Sequence, residues 1–167
     1  MELYLLRHGL AVERGERGLE DDSARPLTVK GRRQLRKSAG AIRKLGGRID
    51  LILSSPYRRA RQTAEIVARE LKLKKRLKYA QALAPGGAVR NLLRQLGREQ
   101  PAPDKVLLVG HEPDLSRLVS LLTSGSQQLQ LDFKKGGLCK LEGGKLRAGK
   151  CASLVWLLTP KQMRTLA

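Results

Sequence analysis

Three short apolar runs, each closing on polar residues, constrain this chain more than any other feature. They are Glu2–Leu6, Asp50–Leu53 and Lys105–Val109, and they close on Arg7-His8-Gly9, Ser54-Ser55-Pro56 and Gly110-His111-Glu112. Short, nearly continuous apolar runs are what strands covered on both faces look like in sequence, as in a parallel sheet. Helical patterns lie between and after them. Leu35, Ala39, Ile42 and Leu45 fall on one face of a segment running from an N-cap at Thr28 to a stop at Gly46-Gly47. Ala60, Ala64, Val67 and Leu71 mark a second helix, and Val89, Leu92, Leu93 and Leu96 a third. A fourth begins at Pro113, placed as its first residue, and carries Leu115, Leu118, Val119 and Leu122. This alternation predicts an α/β fold: a three-layer α/β/α sandwich with a mostly parallel central sheet. Gly137–Glu142 and Ser153–Leu158 read as two further strands joined by a Gly-rich connection, a hairpin or a neighbouring pair. The least regular segments are expected at Glu13–Asp22 and Gly97–Asp104.

Open α/β sheets hold their ligands beyond the carboxyl ends of the strands. The architecture therefore gathers His8, the Ser55 loop and His111 on one rim, with Arg7 and Arg58 or Arg59 nearby. Two guanidiniums and two imidazoles suit a phosphoryl group: arginine forks match phosphate oxygens, and a neutral imidazole is a nucleophile. Neighbouring positive charge helps to keep that imidazole neutral. Gly9 offers close backbone approach, and the helix after Pro56 can aim N–H groups at an anion. Two histidines and a carboxylate can also bind zinc, but the arginines expected beside both histidines oppose a cation. The alternative without a function, two histidines satisfied in a core, is weakened by their matching positions just past apolar runs.

The length of 167 residues fits one domain, 1–167. No apolar run approaches the length of a membrane span, and the first residues lack the pattern of a secretory signal. With only Cys139 and Cys151, which are expected to be reduced and separate, a cytoplasmic setting follows. Trp156 is expected to pack against the core or its rim. Thirty-four Lys and Arg against fifteen Asp and Glu give a formal charge of +19. Such an excess makes anionic partners plausible, the plainer alternative being a basic, soluble surface. Aromatic residues make up 3% of the chain, which disfavours base-stacking platforms, so any nucleic-acid binding is expected to be non-specific. The charge is clustered: Lys30 to Arg48 holds eight basic residues and no acidic one, while Glu13 to Asp22 holds five acidic and two basic.

Four blocks in order resemble the histidine phosphatase (phosphoglycerate mutase-like) superfamily. They are Leu6-Arg7-His8-Gly9, Arg25-Pro26-Leu27-Thr28-x-x-Gly31, Ser55-Pro56-x-x-Arg59-Ala60-x-Gln62-Thr63-Ala64 and Val109-Gly110-His111-Glu112-Pro113. The short length, the Asp22-x-x-Arg25-Pro26-Leu27-Thr28 block, Gly136-Gly137 after Phe133 and the closing Trp156-Leu157-Leu158-x-Pro160 are similar to the SixA-type phosphohistidine phosphatase branch. The resemblance implies a phosphoglycerate mutase-like fold and a phosphatase with no cofactor or metal. It implies His8 as the phosphorylated nucleophile, Arg7 and Arg59 as phosphate-binding arginines, and His111 as the second pocket histidine. Arg25 takes a branch-typical position, for substrate contact or loop anchoring. Arg58 is read as a surface residue and Ser55 as a cap for the following helix. Many relatives carry a Glu as general acid where this chain has Ala82, which leaves Asp22 as a possible substitute acid and favours a substrate with a good leaving group. The implied substrate is a phosphohistidine-bearing protein, such as a histidine phosphotransfer domain. The alternatives are a small phosphorylated molecule, or a non-catalytic protein that binds phosphorylated ligands or nucleic acid.

Overall fold

The structure, a computed structural model, describes residues 1–16 and 20–167. Six strands form one sheet: β1 (Glu2–Arg7), β2 (Leu51–Ser54), β3 (Leu77–Tyr79), β4 (Lys105–Gly110), β5 (Leu138–Gly143) and β6 (Ala152–Leu158). Their order is β3-β2-β4-β1-β5-β6. The first four are mutually parallel, and β5 and β6 add an antiparallel edge. Among the described residues five α-helices cover the sheet: α1 (Val29–Gly46), α2 (Arg58–Glu70), α3 (Val89–Gly97), α4 (Asp114–Ser124) and α5 (Pro160–Leu166). The fold is the expected mostly parallel α/β sandwich.

Side chains alternate across the sheet because the pleat has a period of two. Leu3, Leu5, Leu51, Leu53, Val106 and Leu108 enter one core with residues of α3 and α4. Tyr4, Leu6, Ile52, Leu107 and Val109 enter the other, with residues of α1, α2 and α5. Burial on both faces is why the central runs read as nearly continuous apolar stretches. Trp156 packs against the second core, its ring 6.1 Å from that of Tyr4. Both cysteines are free, and burial pushes the Cys139 thiol up to about 12.

The Thr28 hydroxyl accepts from the Gly31 N–H, as an N-cap should, and α1 ends at Gly47, whose N–H returns to the Arg43 carbonyl. Three boundaries differ from the sequence reading. Strand β3 is only three residues long and half exposed, too short to generate a readable pattern. Helix α5 is announced by a capping box, Thr159 with Gln162, rather than by an apolar face. Helix α4 starts at Asp114, and Pro113 occupies the preceding cap position instead of the first helical one. Of the segment expected to be least regular, residues 17–19 lie outside the described residues, while Asp22–Ala24 forms one 3-10 turn. Gly97 closes α3, and 101–104 form an irregular approach to β4.

The topology places the site. Strands β1 and β4 are neighbours, yet β1 continues through α1 on one face and β4 through α4 on the other. Connections leaving adjacent parallel strands in opposite directions open a crevice at their carboxyl ends. His8 and His111 are the first residues past those two ends.

Candidate active site

His8 is fixed from both sides of its ring. Nδ1 lies 2.8 Å from the Gly9 carbonyl, which only accepts, so Nδ1 carries the proton. Nε2 is then the lone-pair nitrogen, and it accepts a 3.2 Å hydrogen bond from Arg59 Nε. The ring is 6% exposed. Burial above all, reinforced by His111, Arg59 and Arg7, holds its pKa well below the ordinary histidine value, while the Gly9 bond opposes the shift. His8 is therefore neutral at physiological pH, with its basic nitrogen turned toward a guanidinium.

His111 stands 5.1 Å away, ring centre to ring centre. Its Nε2 is 2.8 Å from the Ser55 hydroxyl, which also accepts from the Tyr57 N–H at 3.2 Å. Ser55 is fully buried, and His111 is the only acceptor found for its proton among the described residues. The hydroxyl accordingly donates to Nε2 and leaves the proton of His111 on Nδ1, which is buried with no partner among the described residues. Burial, then Arg59, pulls the pKa of His111 down to about 3. Tyr57 packs its ring edge-on against His111 at 5.4 Å and receives the Arg59 guanidinium over its face at the same distance. Ser55 thus serves the pocket rather than α2, which has no side-chain cap.

The arginines differ in what they leave free. Arg7 donates through Nη1 to the Phe133 carbonyl at 2.7 Å, and its buried Nε has no partner among the described residues. Arg59 is 5% exposed and sits on the buried face of α2, one turn before Thr63. Its Nη1 donates to the Asp22 carbonyl at 2.7 Å and its Nη2 to Asp22 Oδ2 at 2.9 Å. Buried polar groups normally find partners, so buried N–H groups that find none among the described residues are donors available to an acceptor. Arg7 Nε and His111 Nδ1 are such groups, and both can donate to phosphoryl oxygens.

Several sequence expectations change on inspection. Asp22 does not stand ready to give up a proton. Arg25 holds its Oδ1 through Nε at 2.8 Å and Nη2 at 2.6 Å, Arg59 holds Oδ2, and these cations outweigh partial burial to lower its pKa. It is a carboxylate that already engages the Arg59 guanidinium. Arg25 directs its donors inside the protein, on Asp22 and on the Val12 carbonyl at 2.8 Å. Gly9 does not offer its N–H to a ligand, because that group donates to Thr63 Oγ1 at 3.1 Å. A Cβ at Gly9 would meet the Leu35 side chain at 2.8 Å, so its missing side chain serves packing of α1. Arg58 is exposed, as expected for a surface residue. Ala82 lies in the 3-10 turn Gln81–Leu83 and supplies no acid. The Glu112 carboxylate accepts from the N–H and hydroxyl of Ser116.

Residues 3–83 match the model of the histidine phosphatase superfamily (branch 1). A solved structure of the protein histidine phosphatase SixA complexed with tungstate superposes with a TM-score of 0.82 at 26% identity, covering 98% of this chain and 99% of that one. The chain belongs to the histidine phosphatase superfamily. An uncharacterized protein from Picosynechococcus sp. is 39% identical over 164 residues, 96% of this chain and 98% of that protein. The fold is also that of a mycobacterial glucosyl-3-phosphoglycerate phosphatase, with a TM-score of 0.71 at 20% identity over 95% and 99% of the two chains. This superfamily member is a phosphatase, and its four sequence blocks meet around the rings of His8 and His111. The links between them were less visible in sequence. Thr63, which stands in the third sequence block without an assigned role, ties Gly9 to α2 by accepting from the Gly9 N–H while donating to the Arg59 carbonyl at 2.7 Å. The contacts of the Phe133 carbonyl and of the Tyr57 ring were not readable from the sequence.

Proposed function

We propose that this chain is a protein phosphohistidine phosphatase acting through a phosphorylated His8. The observation that carries the reading is the state of His8: neutral, protonated on Nδ1, with the Nε2 lone pair among Arg59, Arg7 and His111. An incoming phosphoryl group takes over the guanidinium donors of Arg7 and Arg59 and the Nδ1–H of His111. Nε2 then attacks phosphorus, and the phosphorus–nitrogen bond to the substrate imidazole breaks, its electron pair leaving with that imidazole. In the second half, water attacks the same phosphorus. The bond to Nε2 breaks, its pair returns to His8, and inorganic phosphate leaves. Catalysis of phosphoryl transfer is mainly positioning and charge stabilisation, which two arginines and a histidine donor can provide without a metal.

The leaving group decides the substrate class. Asp22 is held ionised, Glu112 is engaged by Ser116, and Ala82 offers no proton. An alcohol leaves poorly without a proton donor, whereas a protonated imidazole departs as a neutral molecule. Rates on phosphoimidazole, a histidine-phosphorylated protein and a sugar phosphate test the assignment. Faster turnover of the phosphorus–nitrogen substrates is expected, and faster turnover of the sugar phosphate would overturn it. No helix among the described residues is long and apolar enough to cross a membrane, and we place the enzyme in the cytoplasm on composition.

A further inference from the structure

The N-terminal half of the outer face of α1 works against its own electrostatics. Lys30, Arg33, Arg36, Lys37, Arg43 and Lys44 are all exposed, and none forms an ion pair among the described residues. No acidic residue lies in the helix. Outside α1 some cations meet carboxylates, as Lys78 meets Glu99, Lys140 meets Glu142 and Arg117 meets Asp114, while others such as Arg69, Lys74, Arg90 and Arg94 form no ion pair among the described residues; what sets α1 apart is six exposed cations on one helix. In α1 the three- and four-residue neighbours of Arg33, namely Lys30, Arg36 and Lys37, are like charges, which weakens a helix. Lys30 also occupies the first turn, where the helix dipole favours an acidic residue. An anionic surface laid along this face would relieve both penalties.

The ridge is joined to the catalytic pocket. The Thr28 N–H donates to the Leu10 carbonyl at 2.9 Å, two residues beyond His8. A Cβ at Gly31 would lie 2.3 Å from that carbonyl, so the first turn of α1 is pressed against the His8 loop. From there 18 residues at 1.5 Å each carry the positive charge about 27 Å away from the pocket. A small phosphorylated molecule in the pocket cannot touch most of this length, whereas a folded protein can. Nucleic acid fits less well: five aromatic residues serve the whole chain, and Tyr4 and Phe133 among them are fully buried.

We propose that the outer face of α1 is a docking surface for an acidic face of the phosphorylated protein substrate, beside the side chain that enters the pocket. The proposal rests on the phosphohistidine phosphatase reading for its occupant and concerns association rather than chemistry. Charges at the edge of an interface act chiefly on the association rate and its salt dependence.

The test is the triple variant Arg33→Glu, Lys37→Glu, Lys44→Glu, compared with wild type on two substrates. One is a strongly acidic histidine phosphotransfer domain phosphorylated with phosphoramidate, and the other is phosphoimidazole. At about 0.15 M salt, kcat/KM for the protein should fall roughly tenfold or more through KM, with phosphoimidazole turnover unchanged. The salt dependence shown by wild type on the protein should flatten in the variant. Equal losses on both substrates, or no loss on either, would overturn the proposal. Direct binding of the unphosphorylated domain to His8→Ala protein, with and without the triple substitution, separates the two layers of inference. If wild type turns over neither substrate, the catalytic reading has failed, and docking still stands or falls on whether the triple substitution weakens this binding. Preferential binding of a duplex DNA fragment that the triple substitution abolishes, with phosphoprotein kinetics untouched, would also overturn it.

Discussion

Replacing Asp22 with Asn asks whether this carboxylate holds the place of a phosphoryl group. Asp22 is one-third exposed, but its partner Arg59 is nearly buried, and the Nη2–Oδ2 contact is 2.9 Å. A hydrogen bond to a charged group contributes about 1.5–3 kcal/mol, and the solvent reaching Asp22 argues for the lower end. The variant should therefore lose about 1.5–2 kcal/mol without ligand. In a protein of 167 residues this lowers the melting temperature by roughly 3–8 °C. The same change removes a competitor from Arg59, so an oxyanion should bind roughly tenfold tighter, about 1.4 kcal/mol. The assay is thermal unfolding with and without tungstate or inorganic phosphate, with the dissociation constant measured by calorimetry. The variant should start lower and gain more from the anion than wild type does. An unchanged melting temperature together with equal or weaker anion binding would refute the competition.

Three further outcomes follow from the same geometry. Ser55→Ala removes the donor that fixes the ring of His111 and leaves a buried nitrogen unpaired, so kcat/KM should fall roughly 10- to 100-fold, a loss of about 1.4–2.7 kcal/mol in transition-state stabilisation. Ser55→Thr should recover most of the activity, and a silent Ser55→Ala would remove the positioning role. Stability should decline on mild acidification, because His111 is held at about 3 against an ordinary value of 6.5 and His8 is displaced in the same direction. The unfolded chain binds protons that the folded chain refuses, so this contribution is complete above about pH 6.5 and is lost below it. For His111 the loss is about 2 kcal/mol at about pH 5, measurable by denaturant titration, and a flat profile between those pH values would contradict neutral buried histidines. Arg25→Ala should release the Asp22 turn from Val12 and cost about 1.5–3 kcal/mol, with a smaller effect on kcat than Arg59→Ala. Equal kcat losses would make Arg25 a substrate contact after all.

The parts of the fold legible in sequence were those governed by burial. Strands β1, β2 and β4 are covered on both faces, so their apolar runs were nearly continuous and their polar ends marked the rim. Helices α1 to α4 each bury one stripe and showed it. Strand β3 and helix α5 are short and partly exposed, and their positions are set by neighbours and caps rather than by apolar period. In the site, the identities of Arg7, His8, Arg59 and His111 could be read because they follow strand ends or repeat a family motif. Their connections could not. Whether Arg25 faces a substrate or Val12, and whether Asp22 gives a proton or occupies an arginine, depends on how a loop folds over α2, and no local pattern records that. Gly9 carries the same lesson: a glycine beside a nucleophile suggested room for a ligand, while its neighbours are Leu35 and Thr63.

The measurement closest to the central claim is capture of the phosphorylated enzyme. Wild-type protein mixed with excess phosphoimidazole and quenched in alkali within the first turnovers should carry one phosphoryl group. Peptide mass spectrometry should place it on His8, and acid should release it. His8→Ala should show neither the adduct nor turnover. Phosphate on another residue, or full turnover by His8→Ala, would contradict a mechanism built on the Nε2 lone pair of His8.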